Sequence, residues 1–503
     1  MLILKPKKLS GSAKVMFKFD NSYASLPQQF YQKINPSPVS NPSLIKINTS
    51  LATELGLDPE YLQSDQGIAI LSGNQIAQGS QPLAQAYAGH QFGNFVPQLG
   101  DGRANLLGEI IDINGKRRDL QLKGSGQTQF SRAGDGRAGL GPVIREFVIS
   151  EAMHALGVPT TRSLAAIKTG DQIQRESLMP GAILTRVASS HIRVGTFEYF
   201  IARNDFESLK ILADYVINRH YPEIVDSENP YAELFRAVAQ RQAKLIAKWM
   251  QLGFIHGVMN TDNCSIAGET IDYGPCAFMD FYDPDTVFSS IDRMGRYAYE
   301  QQGFIGQWNL SCLANALLPL IDSKQETAIS TAKAVLEEYT DDFTNYHSIG
   351  LLNKIGLEQK GNLALVEDLF KLMHKYRADF TLSFHYLTEM VTDQSYDQEF
   401  ISLFDEANPK LSQWIQDWRQ ALSEEDKELQ TIAEEMNKVN PVYIPRNHII
   451  EEMIEAAVSN QDYSLIHKLS EVLAKPFTKQ EGADYYLLPP KDKNQNYQTF
   501  CGT

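Results

Sequence analysis

The stretch Phe254-Ile-His-Gly-Val-Met-Asn-Thr-Asp-Asn263, with Asp272-Tyr-Gly274 nine residues beyond Asn263, constrains this chain more than any other. Between the two, Cys264-Ser-Ile266, a turn at Ala267-Gly268 and Thr270-Ile271 read as a two-stranded hairpin. A hairpin brings its ends together, so Asn263 before it and Asp272 after it can offer oxygen ligands to one hard cation. Their spacing is that of a magnesium pair in a phosphate-transfer site, and the same oxygens suit Mn2+. An ordinary turn rich in Asn and Asp is the competing reading. The long helix read before His256-Gly257 and the hairpin after it favour the metal site, because all of them agree on one arrangement.

In protein kinases the catalytic loop reads H-R-D-x-x-x-x-N, and its Asp accepts the hydroxyl proton. Here Val258 stands in place of that Asp and can accept nothing. The remaining carboxylate is Asp262, beside Asn263. The motif keeps its metal ligands and has moved or lost its base.

The chain has 503 residues, room for about three domains. Its net charge of −15 argues against nonspecific binding to nucleic acid or to a membrane surface. A nucleotide would therefore need a local cluster of Lys and Arg together with metal. Four cysteines (Cys264, Cys276, Cys312, Cys501) without C-x-x-C spacing argue against zinc and for a reducing compartment. No apolar run suits a signal peptide or a membrane span, so the expected location is cytoplasmic.

Patterning predicts an α+β chain. Residues 106–113, the turn Asn114-Gly115 and 119–123 read as strand, turn and strand, ending at Lys123. A glycine-rich stretch leads to a helix over 142–156, then strands over 163–167 and 182–187. Beyond these the pattern is mostly helical, including 231–252 and a helix that Asn447 can cap. Lys123 reads as a phosphate-gripping lysine with Glu146 or Glu151 as partner, or as a plain strand-end lysine. Gly100, Gly102 and Arg103 suit an anion-facing loop, or a loop of no function. Gly134-Asp-Gly136-Arg-Ala-Gly139 matches G-x-G-x-x-G, but the polar residues 127–132 before it exclude a dinucleotide fold. Asp135 could face phosphate or orient a cation such as Lys123. Arg186 and Arg193 could clamp a triphosphate. Asp280, Asp283 and Asp285 read as loop and cap residues. Cys501, on a tail that could reach back to Cys264 or Cys276, reads as one half of a regulatory disulfide or, the favoured reading, all three read as buried or idle thiols.

Over nearly its whole length the chain resembles the selenoprotein O family of pseudokinases. The resemblance rests on Tyr87-Ala-Gly-His-Gln-Phe-Gly-Asn-Phe95, Gln98-Leu-Gly-Asp-Gly-Arg-Ala104, Leu122-Lys-Gly-Ser-Gly126, Arg132-Ala-Gly-Asp-Gly-Arg137 and Ile271-Asp-Tyr-Gly-Pro275. It implies a kinase-like, two-lobed fold that binds ATP in a flipped orientation and transfers AMP to Ser, Thr or Tyr hydroxyls of proteins. The implied divisions are a family-specific segment (1–95), a small lobe (96–200), a large lobe (201–400) and a helical extension with a tail (401–503). By matching position, Gly100, Gly102, Arg103, Lys123, Asp135, Gly136 and Asp272 would bind nucleotide, and Arg186 and Arg193 its phosphates. Asp262 would accept the proton, and Asn263 and Asp272 would hold Mg2+. A monomer is expected. Where some relatives carry selenocysteine, this chain ends Cys501-Gly-Thr503. Rival expectations are a γ-phosphate kinase, a UTP- and manganese-dependent uridylyltransferase, and a silent nucleotide-binding scaffold.

Overall fold

The structure, a computed structural model, describes residues 17–404, 408–492 and 497–499. Its strands in chain order are β1 (Tyr31–Lys33), β2 (Ser43–Ile47), β3 (Leu83–Gln85), β4 (Gly89–Gln91), β5 (Asn94–Val96), β6 (Ala104–Ile111), β7 (Arg117–Lys123), β8 (Ala138–Gly139), β9 (Arg162–Gln174), β10 (Leu178–Ala188), β11 (Phe254–Ile255) and β12 (Ala277–Phe278). The main sheet runs β1-β3-β6-β7-β10-β9-β2, with β8 on β10 and every pairing antiparallel. The ribbons β4-β5 and β11-β12 stand apart from it.

β6 is buried at every position but Ile111, as is β7 from Asp119 to Lys123, and the turn between them is longer than Asn114-Gly115 alone. Asp112 accepts from the backbone N–H groups of Asn114 and Lys116, and Gly115 takes a φ of 75°. Lys123 ends β7 opposite Ala104 on one side and Leu184 on the other, at the centre of the sheet. A surface lysine is thereby excluded.

The helices begin with α1 (Thr49–Glu54), α2 (Pro59–Gln63) and α3 (Asp65–Leu71), followed by α4 (Leu140–Ala155). Val143, Ile144, Phe147, Val148 and Ala152 bury one face of α4 against β9 and β10. Helices Asn447–Asn460 and Ser464–Leu473 also pack on α4. Asn447 does not cap its helix. Its side chain lies inside the first turn and donates to Phe278 O at 2.7 Å.

Then come α5 (Val194–Ile201), α6 (Phe206–His220), α7 (Pro230–Gln251), α8 (Gln302–Ile321) and α9 (Gln325–Lys354). Asn229 caps α7 through Ala232 N, with Pro230 in the first turn. Its apolar face packs on α8 and α9. The segment Tyr299–Ile321 is long and apolar enough to cross a membrane by length and composition, which the sequence reading did not anticipate; half of it is buried inside the protein.

Asp280 lies in the loop after β12, as expected, and there it holds a buried ion pair. Arg446, 1% exposed, is held between Asp280 at 2.8 Å and Asp379 at 2.7 Å. That buried pairing joins the segment after β12 to the helices near the C-terminus.

Candidate active site

The loop after β11 is held from below by α8. Gln302 accepts from His256 N and donates to Phe254 O, while Asn309 donates to Met259 O. Asn260 accepts from Phe92 N and from the Tyr297 hydroxyl. These bonds satisfy a buried loop that lacks a strand ladder of its own.

The expected hairpin over 264–271 is absent. Ser265 pairs with Arg193, with Val194 N donating to Cys264 O and Ile266 N to Ile192 O. Thr270 instead pairs with Thr160, and Thr161 N donates to Thr270 O. Only the turn was read correctly, closed by Gly268 N to Ser265 O with φ of 72°. Each leg takes a segment distant in the chain as its partner in place of the other leg. That exchange brings Arg193 against the Asp262 backbone, where its guanidinium donates to Asp262 O at 3.0 Å.

Two groups of charge result. In the first, Lys123 Nζ lies 2.6 Å from Glu146 and 2.8 Å from Asp272, and Arg186 Nε donates to the second Glu146 oxygen at 2.6 Å. Arg186 also approaches Asp272 at 3.6 Å. The partner of Lys123 is Glu146, not Glu151, which holds Arg162 and Asn48. Burial pushes the Asp272 carboxyl up, but Lys123, Arg186 and Arg103 outweigh it and hold the group well below the usual carboxylate range. Glu146 is lowered in the same way by Arg186 and Lys123.

The second group surrounds Asp262, 8% exposed. Burial pushes its carboxyl up to about 6 against the opposing charge of Arg193. Oδ2 meets the Gln91 amide at 3.4 Å, and Oδ1 has no hydrogen-bond partner. The charge of Asp272 is felt at Asp262, so the two carboxylates share one electrostatic environment. Arg193 stacks on Tyr87 at 4.3 Å and approaches Asp101 at 3.7 Å. The Asn263 amide nitrogen donates to Val258 O at 3.1 Å, leaving its oxygen as the ligand atom. With one Asp272 oxygen engaged by Lys123, the other remains available, and each residue thus keeps an oxygen of the kind that suits a hard divalent cation.

The other predicted residues have contacts of their own. A side chain on Gly100 would strike the Phe130 ring, and one on Gly102 would strike the Phe130 carbonyl. Those glycines permit close packing of the loop. Gly136 (φ 67°) likewise fits against Gly126. Asp135 is paired with Arg175 at 2.9 Å and does not orient Lys123. Arg103 lines a cavity of about 200 Å³ with Lys123, Glu146 and Gly274. A larger cavity of about 1170 Å³ is walled by Asp280, Asp283, Asp285, Asp292, Glu451 and Glu452 among others, a lining unsuited to polyphosphate. The smaller one lies below the ~300–1,000 Å³ of drug-sized ligand pockets and has room for part of a nucleotide. Cys264 and Cys276 are buried free thiols, both pushed up to about 12 by burial. Cys501 lies outside the described residues.

Sequence reasoning assigned no role to Tyr87, Gly89, Gln91 or Asp101. A side chain on Gly89 would sit 2.7 Å from Asp262 Oδ1, so this glycine lets β4 lie on the carboxylate. The available signal was the Gly-, His- and Gln-rich run from Tyr87, which fits neither strand nor helix periodicity.

A buried Lys–Glu–Asp network beside an Asp-Asn turn is an arrangement suited to handling phosphate. Residues 14–474 match the family described as protein adenylyltransferase SelO. The chain is 56% identical over 489 residues to the protein nucleotidyltransferase YdiU of Rhizobium etli, covering 97% of each chain. It is 56% identical to the YdiU protein of Rhizobium meliloti, covering 97% and 99%, and 54% identical to that of Rhodopseudomonas palustris, covering 97% and 100%. The chain belongs to the SelO family of protein adenylyltransferases.

Proposed function

We propose that the chain transfers AMP from ATP to Ser, Thr or Tyr hydroxyls of proteins and releases pyrophosphate. The observation that carries the assignment of roles is the buried Asp262 carboxylate with an unpartnered oxygen, beside the ion-paired Lys123–Glu146–Asp272 network. In this reading the strand-rich residues 96–200 and the helical residues 201–400 form the two lobes of a kinase-like fold. Lys123, Arg186 and Arg193 hold phosphates, with Arg103, Asp135 and the glycines at 100, 102 and 136 lining the nucleotide's path. Glu146 positions Lys123 and Arg186.

Asp262 accepts the proton of the acceptor hydroxyl as its oxygen attacks the α-phosphorus. The bond from that phosphorus to the bridging oxygen breaks, and pyrophosphate leaves toward the arginines. Asn263 and Asp272 would hold Mg2+, or Mn2+, which supplies charge neutralisation to the phosphate oxygens. Nearly all the catalysis is then positioning and charge stabilisation, which this site can provide without the base that Val258 replaces.

Incubation with ATP labelled at the α or the γ phosphate tests the reading. Label on acceptor protein from the α position alone is expected; label from the γ position marks a kinase. Nucleotide-induced thermal stabilisation with no label from either would make the chain a scaffold.

A further inference from the structure

Strand β4 and helices α5 and α8 bring His90, Glu198 and Cys312 together below the Thr261–Asn263 turn. His90 Nδ1 lies 2.5 Å from Glu198 Oε1. The ligand atoms of all three side chains fall within 4.8 Å of one another, the one such group of His, Cys and carboxylate residues found among the described residues. Independently, Glu198 is 4% exposed and its Oε2 has no hydrogen-bond partner. A buried acceptor left in that state costs about 1–3 kcal/mol, and more when charged. Neither the proposed transfer reaction nor the packing of α5 uses that oxygen.

We propose that His90 Nδ1, the Glu198 carboxylate and Cys312 Sγ bind a divalent cation of the zinc class. One nitrogen, one oxygen and one sulfur donor suit a borderline-soft ion and disfavour Mg2+. Three protein ligands leave a fourth, open position, and the His90 side chain, 26% exposed, gives a way in. Bonds of about 2.0–2.3 Å require the imidazole and carboxylate to separate slightly and the thiol to close in. As the sulfur–metal bond forms, the Cys312 thiol proton passes to solvent and Glu198 gains the partner it lacks. The site is coupled to the reaction centre by geometry, because His90 N donates to Thr261 Oγ1 at 2.7 Å and Gly89 lies on Asp262. The cysteine spacing that argued against zinc does not bear on this site, which uses a single cysteine with ligands from three separate elements.

The test is a titration of the full chain with Co2+ alone as probe, in excess Mg2+ to occupy the oxygen ligands Asn263 and Asp272. One equivalent should produce thiolate-to-cobalt absorption in the near ultraviolet, bleached by added Zn2+. It should also quench Trp308, whose ring lies 5.2 Å from that of His90. Cys312→Ser should abolish the absorption and Cys264→Ala should keep it. Glu198→Gln should weaken cobalt affinity by about tenfold or more. Absence of a thiolate band in the unaltered chain overturns the proposal whatever the variants do, as does a band that survives in Cys312→Ser.

Discussion

The two acidic halves of the site differ in how completely their charges are matched. Both Glu146 oxygens and one oxygen of Asp272 are met by Lys123 and Arg186, whereas Asp262 is buried with no cation on its carboxylate among the described residues and one oxygen unpartnered. A saturated network holds geometry, since each charge has its compensation in place. An unsaturated buried carboxylate is costly to the fold and keeps a free lone pair for an incoming proton. Similar residues thus carry different duties, separated by their partners.

Breaking the saturated half should have the largest effect. Asp272→Ala removes a metal ligand and leaves Lys123 and Arg186 to share Glu146; transfer of α-label should fall by about 10³-fold or more, with magnesium binding lost in calorimetry. Asp262→Asn should lower transfer by about 10²–10⁴-fold while nucleotide-induced thermal shifts persist. Its melting temperature should equal or exceed that of the unaltered chain, because an unpaired buried charge is gone; a marked drop would erase the contrast between the halves. Glu146→Ala leaves Lys123 and Arg186 to share Asp272 alone and should cost about 3–5 kcal/mol in denaturant unfolding. Gly89→Ala presses on Asp262 from the side and should reduce kcat by about 10- to 100-fold with little change in nucleotide affinity.

The smallest effect concerns a saturated network outside the reaction centre. Asp119 is buried against Arg219 at 2.6 Å and His191 at 3.0 Å. Burial opposes its ionisation, but Arg219 and His191 prevail and hold it at about 2. Its folded value lies below the unfolded value, so the stability it contributes is present above pH ~4 and lost as pH falls toward 2. That contribution is on the order of 2 kcal/mol. Acid unfolding of Asp119→Asn should be correspondingly flatter over that range, with transfer activity retained at neutral pH.

Much of this was legible in local pattern. The strand ending at Lys123, the helix carrying Glu146 and the long helix before His256 all appear where the sequence pattern placed them. The hairpin was not legible. Local signals described its turn well, but whether Ser265 and Thr270 pair with each other or with Arg193 and Thr160 depends on segments 70 to 110 residues away. Gly100 and Gly102 illustrate the same limit: glycine marks a place where a side chain cannot go, and only the fold reveals that Phe130 is the reason.

By itself, the order of residues determined the element types, the Asp-Asn and Asp-Tyr-Gly motifs and the choice of Glu and Lys that could neutralise each other. Tertiary structure alone decided which charges meet: that Asp272 is shared by Lys123 and Arg186, that Asp262 is left with an open oxygen, and that His90, Glu198 and Cys312 converge. The physical reason is range. Periodicity and turn chemistry act over a few residues, while desolvation and Coulomb energy act between groups that only packing brings close.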